Sequence, residues 1–302
     1  MKVGGREVEV IHLDKVLFPA DGLTKGDVVS YYRDMAEVIL PYLRDRPVNL
    51  QRFPEGVGGE GFYQKRPGED YPDWIRRVTL PMEGGVIEQI VCEDAATLVY
   101  LANQNVLTLH PWLSKVDKPD HPDLLVFDLD PSDNDFSLVR QAALWIRDLL
   151  EGELDLPAFV KSTGSLGLHV AVPLDRADDF DSVRGFAQDV ALVMTQRHPD
   201  LTAATRKEAR KGRLFLDVAR NAYAQTAVAP YSLRARNGAP AATPLEWPEV
   251  ESGDVGPQSF TLATGWQRLD AKGDVWKGMH KRARSLHAAT QKLEAIRNER
   301  AA

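Results

Sequence analysis

Three aspartates are the residues best placed by type and spacing to do chemistry together. Asp128 and Asp130 end the apolar run that begins at Leu124. Side chains alternate along a strand, so residues i and i+2 share a face, about 7 Å apart along the backbone. Two like charges in a half-buried place repel unless a cation or a proton compensates. Hard carboxylate oxygens suit Mg²⁺ or Mn²⁺. The plainer alternative is a strand end running into a polar turn, with Asp130 capping it. Asp217 interrupts a second apolar run, Leu214 to Val218. A carboxylate inside such a run is costly to bury alone, and Arg213 or Arg220 could pair with it. Asp217 lies 87 residues beyond Asp130, so only the fold can bring them together. Three acids at the ends of two apolar strands suit two ions about 3.5–4 Å apart, aligning an attacking hydroxyl with a leaving group.

A second feature is the turn Ser162-Thr-Gly-Ser-Leu-Gly-Leu-His169. Its glycines and hydroxyls could place N–H and O–H donors around an anion. It has no P-loop lysine and opens no obvious helix, so a Walker reading fails. The alternative is a β-turn with a partly exposed histidine. Arg234, in Ala229-Pro-Tyr-Ser-Leu-Arg234, offers a planar fork for phosphate or for a surface carboxylate. His110, before Pro111-Trp112, is either a packed histidine or a ligand. Phe62 and Tyr63, with Gln51, Arg52 and Lys65 nearby, either stack on a base or join the core. The six tryptophans are dispersed and read as structural.

The elements that must carry these residues alternate between strands and amphipathic helices. Residues 24–43 read as one helix capped by Thr24, with Asp27 three residues on. Val86 to Val91 reads as a strand, and Asp94 caps a helix after it. Asp123 to Asp130 is a buried strand broken by Pro131 and Ser132. Asp135 caps a helix with Leu138, Ala142, Ile146, Leu149 and Leu150 inward. Strands over 158–161 and 168–172 flank the turn, 180–196 is a helix, and Leu214 to Val218 is a strand. Residues 278–300 read as a charged helix. Pro and Gly crowd 237–256, which reads as surface loop.

The chain has 302 residues, 43% of them hydrophobic and 27% charged, with a formal net charge of −7. This composition excludes disordered and collagenous chains, and the length supports a sizeable core. Cys92 is the one cysteine, which rules out an internal disulfide and suits a reducing cytoplasm. The first ten residues hold no apolar run, so they are no signal peptide, and no stretch reaches the ~18 apolar residues of a membrane span. A charge of −7 argues against bulk nucleic-acid binding, but its distribution does not. From Asp120 to Asp155 there are ten acids and two bases; from Thr205 to Arg236, eight bases and two acids; from Lys277 to Arg300, seven bases and two acids. Local cations make phosphate contacts, and bound metal neutralises some acids. A narrow basic track with strong salt dependence is the expectation.

Taken as a set, these motifs resemble the polymerase domain of bacterial ligase D, in the archaeo-eukaryotic primase superfamily. The resemblance runs from about Val10 to the C-terminal helix. Asp14-Lys-Val-Leu-Phe-Pro19 with Thr24-Lys25 is similar to the family's N-terminal signature, and Asp128-Leu-Asp130 to its first catalytic motif. Gly164 to His169 is similar to the second motif, Phe215-Leu-Asp217 to the third, and Ala229 to Arg234 to a nucleotide-contacting segment. The resemblance implies an α+β fold in which a central, mostly antiparallel sheet is flanked by helices. It implies that Asp128, Asp130 and Asp217 hold two Mn²⁺ or Mg²⁺ ions, with His110 near the metal and triphosphate. Ser165, His169 and Arg234 would bind an incoming NTP or dNTP. Arg52, Phe62 and Tyr63 would contact the nucleotide, the two aromatics at its base. Lys15 and Lys25 would bind the 5′-phosphate of a gapped or recessed DNA end, and Lys207 and Arg210 would ride on a mobile loop. Family members fill short gaps in non-homologous end joining, add untemplated nucleotides, often prefer ribonucleotides and often work best with Mn²⁺. The implied setting is bacterial cytoplasm at the nucleoid, with a Ku-type end binder and a separate ligase as partners and no membrane.

Two positions depart from the family pattern. Leu166 stands where its second motif usually has lysine, and Gln51 where a basic residue is usual. Each removes a cation near the triphosphate or template, which bears on affinity and sugar preference rather than on reaction class. The expectation is one catalytic domain over 1–302, with subregions 1–120 and 121–302. No ligase or phosphoesterase module follows, so a stand-alone polymerase or an excised domain is expected. Three rival readings are a two-metal nuclease, a de novo primase, and a non-catalytic module that grips a 5′-phosphate. The turn at 162–169 with Arg234 favours a triphosphate over a nuclease, and the acid triad argues against the binding module.

Overall fold

In the computed structural model, which describes residues 1–131 and 135–299, the chain folds into two compact units. The first comprises residues 1–119, 226–243 and 260–274; the second comprises 120–225, 244–259 and 275–302. The first therefore recruits two later segments, one of which carries Arg234. Ser132, expected to help end the acid strand, and Arg300, the expected end of the last helix, lie outside the described residues.

The first unit is built on a five-stranded antiparallel sheet. The strand Pro47–Arg52 pairs with Phe62–Gln64, Gly85–Val91 and Val106–Pro111, and Arg77–Met82 completes the sheet beyond Gly85–Val91. The helix Lys25–Asp34 starts at a capping box, in which Thr24 and Asp27 bond each other's backbone N–H. The helix Ala95–Asn103 starts at Asp94, whose carboxylate accepts the Thr97 N–H at 2.8 Å. The single helix expected over 24–43 is instead two helices and a 3₁₀ turn. Met35, at ψ 1°, breaks the helical path between Lys25–Asp34 and Ala36–Ile39. Val28, Tyr31 and Met35 stay buried, so the apolar spacing reports the buried face across that break.

The second unit holds a six-stranded sheet in the order Leu201–Thr202, Leu214–Asp217, Leu124–Asp130, Leu168–Pro173, Phe159–Ser162, Pro244–Leu245. All neighbours are antiparallel except the first pair. The α+β class that the resemblance implies is the class observed. The central strand Leu124–Asp130 is apolar on both faces until Asp128, as a strand covered on both sides must be. The helices Phe136–Arg147 and Phe180–Arg197 pack against this sheet. In the first of them Val139, not Leu138, is fully buried, with Ala142, Ala143 and Ile146.

Two further expectations are corrected. Residues 237–256 are not surface loop. Ala239, Ala241 and Ala242 are buried, Pro244–Leu245 adds an edge strand, and Trp247–Ser252 forms a short helix. Small residues and prolines serve there for close packing as well as for turning. The C-terminal region is a 3₁₀ turn at Met279–Arg282 and then a helix at His287–Glu299, not one helix from 278. No helix among the described residues is long and apolar enough to cross a membrane.

Candidate active site

Register in the second unit brings the acids together. Asp128 lies opposite Asp217 on one side and opposite His169 on the other, and His169 lies opposite Lys161. Residues directly opposed across antiparallel strands project to the same face. Lys161, His169, Asp128 and Asp217 therefore form one row across four strands, and Asp130, two residues along, shares the face of Asp128. Asn221 fixes this strand from below the acids. It accepts the Val126 N–H and donates to the Val126 carbonyl, both at 2.8 Å.

Arginines bind the carboxylates. Arg220 Nε lies 3.3 Å from Asp128 Oδ2 and 3.7 Å from Asp217 Oδ2, so one guanidinium bridges two acids. Of the two arginines expected as partners of Asp217, Arg220 is the one in place; Arg213 donates to the carbonyls of Arg210 and Ala209. Arg210 Nη1 lies 3.4 Å from Asp130 Oδ2, and its guanidinium stacks over Phe215 at 3.8 Å. His169 Nε2 lies 3.4 Å from Asp128 Oδ1. Lys207 is exposed, and it shares with Arg210 a short helix, Lys207–Arg210, where a mobile loop was expected.

Each charge state has a local cause. Burial raises the Asp128 carboxyl, but His169, Arg220 and Lys161 outweigh it and hold it well below the usual carboxylate range. Burial and the Asp128 charge raise Asp130 against the pull of Arg210. Burial, then the Asp128 charge, raise Asp217 against the Ala219 N–H and Arg220. Burial and Lys161 push His169 down to about 4 against the pull of Asp128, so its imidazole is neutral at neutral pH. Crowded carboxylates of this kind are a hard-oxygen donor set that a divalent cation would relieve. Among the described residues no three acidic, histidine or cysteine side chains are already gathered around one ion position. Arg210 and Arg220 pair with these acids at 3.3 to 3.7 Å.

The turn after Ser162 is built differently from the anion cradle considered above. Thr163 Oγ1 accepts the N–H groups of Ser165 and Gly167, each at 3.2 Å, and lies 3.1 Å from the Gly167 carbonyl. Those two N–H groups close the turn on itself. Gly164, at φ 64°, takes the left-handed conformation that glycine adopts without penalty. Gly167 is demanded by space: a Cβ there would sit 1.9 Å from the Leu129 carbonyl oxygen, between Asp128 and Asp130. Ser165 stands half-exposed at the tip, its carbonyl accepting from Gln258 at 2.6 Å.

The remaining candidates lie in the first unit. Arg52 donates to the Gln104 carbonyl at 2.9 Å, to Gln64 Oε1 at 2.9 Å and to Gln104 Oε1 at 3.3 Å, and its guanidinium covers the Phe62 ring at 5.7 Å. Phe62 and Tyr63 are 45% and 56% exposed, so they are not core. His110 is buried, with its ring 5.5 Å from Tyr63. Lys25 is buried and donates to the Asn103 carbonyl at 2.9 Å; burial lowers its pKa, and the charges of Lys15 and Arg52 lower it further. Lys15 pairs with Glu55 at 3.2 Å.

Arg234 ends a tightly fastened segment. Tyr231 has φ 62°, a conformation that costs a bulky residue roughly 1–3 kcal/mol. Sequence reading did not single out Asn221 or Lys161, took Thr163 only as one hydroxyl of the turn, and took Arg220 only as an ion-pair partner. Asn221, Lys161 and Arg220 act across the fold, whereas Thr163 acts within its own turn and carries a local signal, a hydroxyl before a Gly-Ser turn.

An α+β fold whose mostly antiparallel sheet carries Asp128, Asp130 and Asp217 on one face is the arrangement expected of a primase-type nucleotidyltransferase. Residues 24–276 match the family model for the primase-polymerase domain of LigD. The chain belongs to the LigD primase-polymerase family. It is 33% identical over 272 residues to the multifunctional non-homologous end joining protein LigD of Mycolicibacterium smegmatis, covering 89% of this chain and 35% of that protein. It is 33% identical over 270 residues to the bifunctional LigD of Bacillus subtilis, covering 88% and 43%. The chain thus spans well under half the length of these relatives. Among solved structures it resembles the polymerase domain of Mycobacterium tuberculosis ligase D in complex with DNA, with TM-score 0.85 and 30% identity, covering 92% of this chain and 99% of that one.

Proposed function

We propose that the chain extends primer 3′ ends and fills short gaps at DNA breaks in non-homologous end joining, with and without a template. The observation that carries this reading is Asp217 facing Asp128 across the strand pair, with Asp130 on the same face, in a chain of this family. Asp128, Asp130 and Asp217 would hold two Mn²⁺ or Mg²⁺ ions. Such ions stabilise charge on an attacking 3′ oxygen and on a leaving pyrophosphate. Arg210 and Arg220 oppose protonation of these carboxylates, keeping them in the form that binds a cation. Neutral His169 and the hydroxyl of Ser165 donate to the triphosphate, as does Arg234, with His110 beside the metal and triphosphate. Phe62 and Tyr63 contact the base region, which their exposure supports, and Arg52 acts through the Phe62 ring it covers. Lys207 and Arg210 follow the template or primer end. The fit to ribonucleotides, a cytoplasmic site at the nucleoid, and work beside a Ku-type end binder and a ligase belong to the same reading.

Lys15 and Lys25 bind the 5′-phosphate of the downstream strand. Burial, and then the charges of Lys15 and Arg52, depress Lys25, and an anion beside these cations relieves the repulsion among them. Extension assays on gapped DNA with and without a 5′-phosphate, in Mn²⁺ and in Mg²⁺, test the whole reading. Incorporation is expected to be favoured by the 5′-phosphate, and Lys25→Met is expected to remove about tenfold of that advantage. The protonated amine is the form that binds phosphate. Affinity for the 5′-phosphate is therefore highest below the depressed pKa of Lys25 and falls as pH rises through it, earlier than for an ordinary lysine. Degradation of the DNA without incorporation would support the nuclease instead.

A further inference from the structure

The segment leading to Arg234 is held at every residue from Tyr231 onward. Tyr231, in its left-handed conformation, donates its N–H to the Ala242 carbonyl and accepts from the Tyr31 hydroxyl at 2.7 Å on its own carbonyl. Ser232 Oγ accepts the Leu109 N–H at 2.8 Å. Leu233 donates its N–H to the Tyr32 hydroxyl at 3.1 Å, and its carbonyl accepts from Thr108 Oγ1 at 2.8 Å. Arg234 donates its N–H to the Pro240 carbonyl at 2.8 Å. The side chain of Tyr231 reaches away from this ladder to Asp274. Its hydroxyl donates to Asp274 Oδ1 at 2.8 Å, while the Tyr42 hydroxyl donates to Asp274 Oδ2 at 2.7 Å. Both phenols are pushed above their ordinary range by burial and then by the Asp274 charge, so both remain donors.

A strained residue persists only where its surroundings over-determine it. Here one carboxylate, each oxygen taking one phenol, anchors the side chain of the strained residue three positions before Arg234. We propose that Asp274, clamped by Tyr42 and Tyr231, is a positioning residue for the nucleotide site. It fixes the Tyr231 side chain, completing the hold on a segment whose backbone is already pinned by hydrogen bonds, and thereby sets the reach of the Arg234 guanidinium toward the triphosphate. Tyr31, Tyr32 and Thr108 fix the backbone, and Asp274 fixes the side chain that the backbone alone leaves free to swing. The proposal rests on the reading of Arg234 as a triphosphate ligand.

The test is a double-mutant cycle on ATP incorporation opposite thymine in Mn²⁺, with KM and kcat measured separately and thermal melting as the folding control. Asp274→Asn keeps the shape of the side chain but replaces one acceptor oxygen with a donor that cannot take a phenol proton. Tyr42→Phe is the milder variant should Asp274→Asn fail to fold. Either is expected to raise the KM for ATP, Asp274→Asn by about tenfold, with kcat within about twofold of the parent. Arg234→Ala is expected to raise KM at least as much, and adding Asp274→Asn to it is expected to change KM little further, because the clamp acts through that guanidinium. An unchanged KM in folded Asp274→Asn or Tyr42→Phe protein overturns the proposal. So does an effect that simply adds to that of Arg234→Ala, which marks general loosening of the unit. If Arg234→Ala alone leaves KM unchanged, the nucleotide role of Arg234 fails first, and the positioning role falls with it.

Discussion

Asp128→Ala and Asp217→Ala are each expected to lower primer extension by ~10³-fold or more, in Mn²⁺ and in Mg²⁺ alike. The two carboxylates face each other across the central strand pair, so neither can replace the other's oxygens. Loss of Asp128 also leaves buried His169 without its carboxylate partner and deprives Arg220 of one of the two acids it bridges. A loss of activity through unfolding must therefore be separated from a loss of chemistry. Asp128→Asn sharpens that separation, because it keeps the shape of the side chain and removes the charge. The expected outcome is extension still lost in a folded protein whose melting temperature falls less than that of Asp128→Ala, the remaining fall reflecting the charge that His169, Arg220 and Lys161 stabilise. Full activity in either alanine variant would end the metal assignment.

Gly167→Ala carries the second large effect, and its cause is steric. The new methyl would stand 1.9 Å from the Leu129 carbonyl oxygen, against backbone that cannot rotate aside. The turn must move off the acid strand, or the strand must yield between Asp128 and Asp130. Overpacking of this sort costs about 1–3 kcal/mol, readable as a lower denaturant midpoint. Activity should fall more than stability, because the same shift displaces His169 and the two acids whose oxygens must converge. Gly164→Ala is the informative contrast, since it strains the tip of the turn at φ 64° rather than the acid strand. A Gly167→Ala variant with the parent's midpoint and turnover would show that the strand and turn are not in contact at this point.

Much of the fold was legible because its signals are local. Asp94, Asp135 and Thr24 announce helix starts through one hydrogen bond to a residue two or three positions on, and the structure places all three as caps. The run from Leu124 to Asp130 announces a covered strand ending in acids. Breaks were less legible. Met35 interrupts a helix whose apolar spacing continues through it, and residues 283–286 separate a 3₁₀ turn from the last helix although charge runs across both. Composition misled at 239–245, where alanines and prolines pack inside rather than loop outside.

By itself, the sequence determined which residue types are available and how near neighbours are placed: Asp128 and Asp130 on one face of a strand, Phe62 next to Tyr63 in the chain, and a hydroxyl-rich turn ending in His169. Those facts follow from the period of a strand and the chemistry of side chains, and they need no partner. Only the tertiary structure decided that Asp217 faces Asp128, that Arg220 rather than Arg213 bridges them, and that Asp274 clamps Tyr231. Each of these joins residues through strand register or through contacts between separate elements. Register is set by the burial of whole faces at once, which no single stretch of sequence contains.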